Sequence, residues 1–207
     1  MFRKVIQNEE ELRSITGVPS KLVKNKVIHY LDENCMGFMA KSPFLTMATA
    51  DENGFCDVSP RGDQNGFVHI LDEYHFIIPE RPGNKRMDSM RNLLSNPHIG
   101  LIFFIPGLGE TLGVNGRAEI IADEDLLERM AYKGKRPDLG IVVEVEECFI
   151  HCAKAFKRSG IWKPETWLKE NERPSAVKIL AEHVRQSDLD EEDVRQCLDR
   201  SYTERLY

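Results

Sequence analysis

Three short segments carry residue types suited to holding an anion. Ser59-Pro60-Arg61-Gly62-Asp63 follows an expected strand, Phe55–Val58. A guanidinium offers a planar fork of donors for a phosphate or a polar ring edge, and glycine admits close backbone approach. Proline, glycine and two opposed charges read here as a loop, with an exposed Arg61–Asp63 ion pair as the simpler alternative. Pro79-Glu80-Arg81-Pro82-Gly83-Asn84-Lys85-Arg86-Met87-Asp88-Ser89 leads from a strand into a helix. Lys85, Arg86 and the first helical amides can converge there on one dianion, since the positive end of a helix and charge-assisted hydrogen bonds act together. The alternative is a basic, proline-bounded surface loop. The third segment, residues 151–162, interleaves His151, Lys154, Lys157 and Arg158 with Phe156 and Trp162, which suits a flat anionic ligand. His151 and Trp162 are otherwise ordinary core residues wanting a hydrogen-bond partner.

Other chemistries lack their residues. There is no GxSxG elbow, no Gly-rich lysine loop of the P-loop type and no HExxH, and Gly107-x-Gly109 has no third glycine. Phosphate-competent loops without an acid, base and nucleophile set imply that a bound cofactor does the chemistry. The five cysteines lack CxxC spacing and read as reduced, mostly buried thiols. Cys148 and Cys152 on an extended segment stand about 13 Å apart by strand rise, so with His151 they make no metal site.

The elements that must position these segments are mostly strands. Asn8 with Glu11 reads as a capping box opening a helix that Gly17-Val18-Pro19 ends. A second helix is expected from Ser20, with Leu22, Val23, Val27, Ile28 and Leu31 as its buried stripe. Phe44–Thr49, Phe55–Val58, Gly66–Leu71, Tyr74–Ile78, His98–Ile105, Thr111–Ile121 and Leu139–His151 read as strands, with turns at Asp51–Gly54, Asp72-Glu73 and Pro106–Gly109. Short helices are expected at Met87–Leu94 and Asp123–Tyr132, and a helical tail from Pro174. Strands joined by hairpins exclude a doubly wound parallel sheet. A mainly β, antiparallel barrel with flanking helices is the expectation.

At this level of detail the chain resembles the pyridoxamine 5'-phosphate oxidase-related FMN-binding proteins, in the branch of probable FMN-dependent enzymes. The resemblance rests on FLTMATADENGFCDVSPRGD, FIIPERPGNKRMDSMRNLLSNPHIGLIFFIPGLGETLGVNGRAEI and HCAKAFKRSGIW in this order. It implies a split β-barrel homodimer with FMN at the subunit interface, touched by both chains. Ser59, Arg61, Gly62, Asp63, Ile78 and Pro79 would then run beside the isoalloxazine ring. Asn84, Lys85, Arg86 and Ser89 match the phosphate-binding positions, and Glu110 and Thr111 match the point where the next strand meets the flavin. His151, Lys154, Arg158, Ser159 and Trp162 would close over the cofactor from the second chain. No acid or base is assigned. The vitamin B6 oxidases end in an arginine-rich substrate motif. Here an acidic helical tail stands in its place, so pyridoxamine phosphate is not the expected substrate.

The implied organisation is an N-terminal helical segment over residues 1–42, the FMN-binding split barrel over 43–165 and a helical tail over 166–207. The implied function is an FMN-dependent oxidoreductase acting on a small molecule, with NAD(P)H as a donor. The alternatives are a non-catalytic flavin-binding or sensing module, or a split barrel using haem or deazaflavin F420. With 207 residues, 41% apolar and 30% charged, the chain has room for one sizeable core. A net charge of −6 argues against broad nucleic-acid binding. Apolar runs far shorter than the roughly 20 residues of a span argue against membrane insertion, and the N-terminus lacks an apolar signal region, so a cytoplasmic location is expected.

Overall fold

The computed structural model describes residues 3–207. Its core is one antiparallel sheet of seven strands: β1 (Phe44–Ala50), β2 (Cys56–Gly62), β3 (His69–Ile70), β4 (His75–Glu80), β5 (His98–Phe104), β6 (Thr111–Ile121) and β7 (Leu139–His151). They pair in the order β2-β1-β5-β6-β7-β4-β3. With flanking helices the fold is mainly β, a split barrel. Strand alternation does the packing. Leu45 and Met47 of β1, Leu101 and Phe103 of β5, Leu112 and Val114 of β6, and Ile141 and Val143 of β7 all point into one buried cluster. Each is an every-second-residue partner of the next, as a period of two requires.

Helices flank this sheet. They are α1 (Glu9–Thr16), α2 (Lys21–Lys24), α3 (Glu33–Met39), α4 (Asp88–Ser95), α5 (Glu124–Glu128), α6 (Lys154–Ser159), α7 (Ala176–His183) and α8 (Glu191–Glu204). Of these, α3 and α4 pack on the strands. The Asn8 side chain accepts from the Glu11 amide, and Gly17 stops α1 at φ 72°, as read from sequence. Asp32 caps α3 by accepting from the Cys35 amide, which holds the Asp32 carboxyl below its ordinary value. Among the described residues no helix is long and apolar enough to cross a membrane.

Three sequence expectations fail in instructive ways. The long helix from Ser20 is one turn, α2, capped by Ser20 and closed at Asn25. Leu22 is 75% exposed, while Ile28 leaves the helix to form an antiparallel backbone bridge with Cys148. The N–H and C=O of an extended residue bonded to the sheet outweigh a modest helical preference in a short segment. The cysteines are reduced, but only Cys35 and Cys148 are buried; Cys56, Cys152 and Cys197 are exposed. Cys148 Sγ lies 3.4 Å from Cys35 Sγ, and that contact together with burial pushes the Cys148 thiol far up. The helix expected over Asp123–Tyr132 is only α5, with Asp123 as its cap.

The β6–β7 ladder shifts register between Asn115 and Gly116. A Cβ on Gly116 would overlap the Glu144 carbonyl. Gly37, inside α3, has nothing within 4 Å of a built Cβ. Gly116→Ala should therefore destabilise the protein by about 3 kcal/mol or more, whereas Gly37→Ala should stabilise it by about 0.5–1 kcal/mol. Urea unfolding of both variants checks the contrast.

Candidate functional site

The sheet order leaves β2 at one end and the last residues of β4 with no partner beyond β3, which pairs only through His69↔Ile77 and Ile70↔Phe76. These two free edges approach each other without a backbone ladder. Side chains join them instead. Arg61 on β2 and Glu80 at the end of β4 form an ion pair through Nη1 and Oε2, and Arg81 Nε donates to Asp63 Oδ2 at 2.6 Å. The Asp63 side chain is completely enclosed, and Arg81 Nη2 also donates to the Met130 carbonyl at 2.9 Å. The simple Arg61–Asp63 pair is thus not formed; each charge has crossed the gap. Nor is Ser59–Gly62 a loop. It is the second half of β2, with Pro60 opposite Thr46, tolerated because an edge strand does not need every N–H.

Between the two edges lies a cleft of about 880 Å³. It gathers Ser59, Arg61 and Gly62 from β2 with Pro79 from β4, Asn84, Lys85 and Arg86 from the loop after it, and Ser89 from α4. Asp63 and Ile78 sit behind it: Asp63 serves the ion pair with Arg81, and Ile78 is wholly in the core. Lys85 and Met87 flank Arg86 at φ 61° and 59°, left-handed backbone that costs free energy in residues with a Cβ and concentrates at ligand-binding sites. Asn84 Oδ1 accepts from the Arg86 amide at 3.0 Å. Helix α4 opens on Met87 with no side-chain cap, so its first N–H groups keep their donor capacity. Arg86 turns its Nε onto Asp88 Oδ2 at 2.6 Å and stays largely exposed. Ser89 Oγ donates to Asp57 Oδ2 at 2.8 Å and meets Ser59 Oγ at 3.0 Å, tying α4 to β2.

One atom in this wall has no partner. Arg61 Nε is buried and unbonded among the described residues. A buried donor left unmade costs roughly 1–3 kcal/mol. Burial pushes the Glu80 carboxyl above its ordinary value, against the opposing pull of Arg61.

The remaining sequence candidates stand elsewhere. None of Glu110, Thr111, His151, Lys154, Arg158, Ser159 and Trp162 lines the cleft. They stand where β6 begins and β7 ends: Thr111 is buried opposite His151 in the ladder, and α6 follows. Trp162 stacks on Phe156 at 5.7 Å and donates its Nε1 to the Leu108 carbonyl at 2.8 Å. His151 is held below the usual imidazole value by burial and by Lys26. No group of three His, Cys, Asp or Glu able to hold a metal occurs among the described residues.

The pyridoxamine 5'-phosphate oxidase family model matches residues 31–152, more than half the chain. The chain belongs to the pyridoxamine 5'-phosphate oxidase family. The match runs from the loop before α3 through the end of β7. It therefore takes in β2, the basic loop and α4, but not α6 or the helical tail. No curated protein matches the chain. Among solved structures it is similar to HupZ from Group A Streptococcus, at 18% identity and TM-score 0.47 over 57% of this chain and 92% of that one. An F420 reductase is 17% identical with TM-score 0.38, over 55% and 93%. HutZ, the haem storage protein of Vibrio cholerae, is 14% identical with TM-score 0.40, over 58% and 93%.

Glu80, Arg81 and Asp57 were missed from sequence. The available signal was the charged pair that ends an otherwise apolar FIIP strand, since a charge at the edge of a core needs a partner.

The raised Glu80 value has a sign. A carboxyl with a folded pKa above its unfolded one favours folding most at low pH, and that contribution is lost as pH rises through the folded pKa. The stability of wild type relative to Glu80→Gln should therefore fall as pH is raised from about 4.3, the unfolded Glu pKa, upward. Denaturant unfolding of both proteins across that window measures it; a constant difference would show that Glu80 titrates as in the unfolded chain.

Proposed function

We propose that the cleft between β2 and β4 binds FMN and that the protein is an FMN-dependent oxidoreductase for a small molecule, working as a homodimer. The observation that carries this reading is the unpartnered, buried Arg61 Nε in the wall of a cleft whose rim is a basic loop. A ligand with a polar ring edge and a phosphate answers both. Lys85, Arg86 and the uncapped amides of α4 would hold the phosphate, with Arg86 exchanging its Asp88 partner for it. Asn84 shapes that loop through its bond to the Arg86 amide. Pro60, Phe67, Pro79 and Leu139 supply apolar surface for the ring, and Glu80 fixes the Arg61 guanidinium so that its Nε stays presented to it. Bound flavin supplies hydride transfer at N5, for which NAD(P)H is the proposed donor.

Dimerisation would give this second group of candidates its role. Within one chain Lys154, Arg158, Ser159 and Trp162 do not reach the cleft, so in this reading they cover the cofactor bound to the other chain. Phe55 at 75% exposure, together with Val58, Ile150 and Ile161, leaves apolar surface beside both groups. Such surface is what a standard interface of roughly 1,600 Å² would cover.

Replacing Lys85 and Arg86 together by alanine should remove charge-assisted hydrogen bonds worth about 1.5–3 kcal/mol each, lowering FMN affinity by roughly two decades or more. Riboflavin, which has no phosphate, should bind wild type and variant almost equally. Flavin fluorescence titration measures both ligands. Equal losses for the two would place the phosphate elsewhere. Turnover of NADPH above that of free FMN separates an oxidoreductase from a flavin store.

A further inference from the structure

The acidic tail returns to the cleft at Leu206 and Tyr207. The Tyr207 hydroxyl donates to Asp63 Oδ1 at 3.0 Å, and its carbonyl accepts from Lys135 Nζ at 2.5 Å. Its ring packs on Tyr132 with centroids 4.9 Å apart. The cations of Arg81 and Lys133 lie 5.8 and 5.2 Å from its centroid. Tyr207 is therefore pinned to the same enclosed Asp63–Arg81 pair that spans the gap between β2 and β4. With Tyr207 held, the adjacent Leu206 takes its place in the cleft lining with Arg136, Pro137, Asp138 and Leu139. The cleft thus has a cationic end at Lys85 and Arg86 and a mixed stretch of wall, residues 136–139, to which the tail adds Leu206.

We infer that Leu206 sets the size of the substrate accepted beside the flavin, and that Tyr207 is the positioning residue that holds it there. The inference rests on the FMN reading of the cleft. The cations of this part of the wall already have partners, Arg136 with Glu124 and Arg81 with Asp63, which favours a small, flat, uncharged acceptor of the quinone type. The tail's acidic residues are not part of this contact. Of the tail, only Leu206 lines the cleft.

The test uses FMN-loaded protein reduced with dithionite and reoxidised by benzoquinone, with one ring, or menadione, with two. In each case the reduced flavin gives two electrons and two protons to the quinone, forming the hydroquinone. The ratio of the two rates is the readout. Leu206→Ala should raise the menadione-to-benzoquinone ratio by about tenfold, the scale on which small changes in an apolar pocket discriminate, and Leu206→Trp should lower it. Tyr207→Phe, which keeps the ring but loses the hydroxyl, should shift the ratio in the same direction as Leu206→Ala. A loss of stability alone would change both rates together and leave the ratio in place. Wild-type ratios in all three variants, with FMN bound, would overturn this inference alone. A wild-type protein that binds no FMN would overturn the flavin reading and this inference with it.

Discussion

The barrel is held shut, where no backbone ladder can close it, by two largely buried ion pairs that cross between β2 and β4. Arg61–Glu80 and Asp63–Arg81 are formed by residues about twenty positions apart in sequence but adjacent in space, because β1 and β5 separate β2 from the rest of the sheet on the other side. Charges taken out of water are tolerable only when paired, and removing one member of such a pair leaves a cost of about 3–5 kcal/mol. The position of the cleft follows from this arrangement. The same pairs that hold the edges together also hold them apart, since side chains span a wider gap than a hydrogen-bonded ladder does. Polar lining is then unavoidable, and one of its donors, Arg61 Nε, is left without a partner among the described residues.

Elements beyond the split depend on it in turn. The basic loop at Asn84–Met87 can adopt left-handed backbone at two residues because β4 anchors it on one side and α4, tied to β2 through Ser89 and Asp57, anchors it on the other. The tail reaches the cleft by bonding to Asp63, already committed to Arg81. A single enclosed carboxylate thus links the strand edge, the loop after β4, the segment at Met130–Lys135 and residue 207.

The strand pattern was legible in the sequence because period-two alternation is a local property: β1, β5, β6 and β7 fall almost where their apolar residues place them. The loop that leads into α4 was legible too, since proline, glycine, two cations and a following apolar periodicity mark a strand-to-helix turn. What could not be read was decided by partners distant in the chain. Pro60 suggested a loop, yet β2 is an edge strand and continues through it. Leu22 and Ile28 shared a helical spacing, yet the bridge to Cys148 took Ile28 away. Arg61 and Asp63 are two residues apart and invited a local pair; their true partners lie across a gap that only the closed sheet creates. Tyr207 carried no local signal, because its meaning depends on Asp63.

The central claim is that the split between β2 and β4 is a flavin site. Titrating FMN into the protein, while following flavin fluorescence together with hydrogen exchange in residues 57–63 and 79–89, tests it most directly. The account predicts saturation at one FMN per chain with protection gained in those two segments. FMN that stays free, or that binds with protection confined to other parts of the barrel, would contradict it.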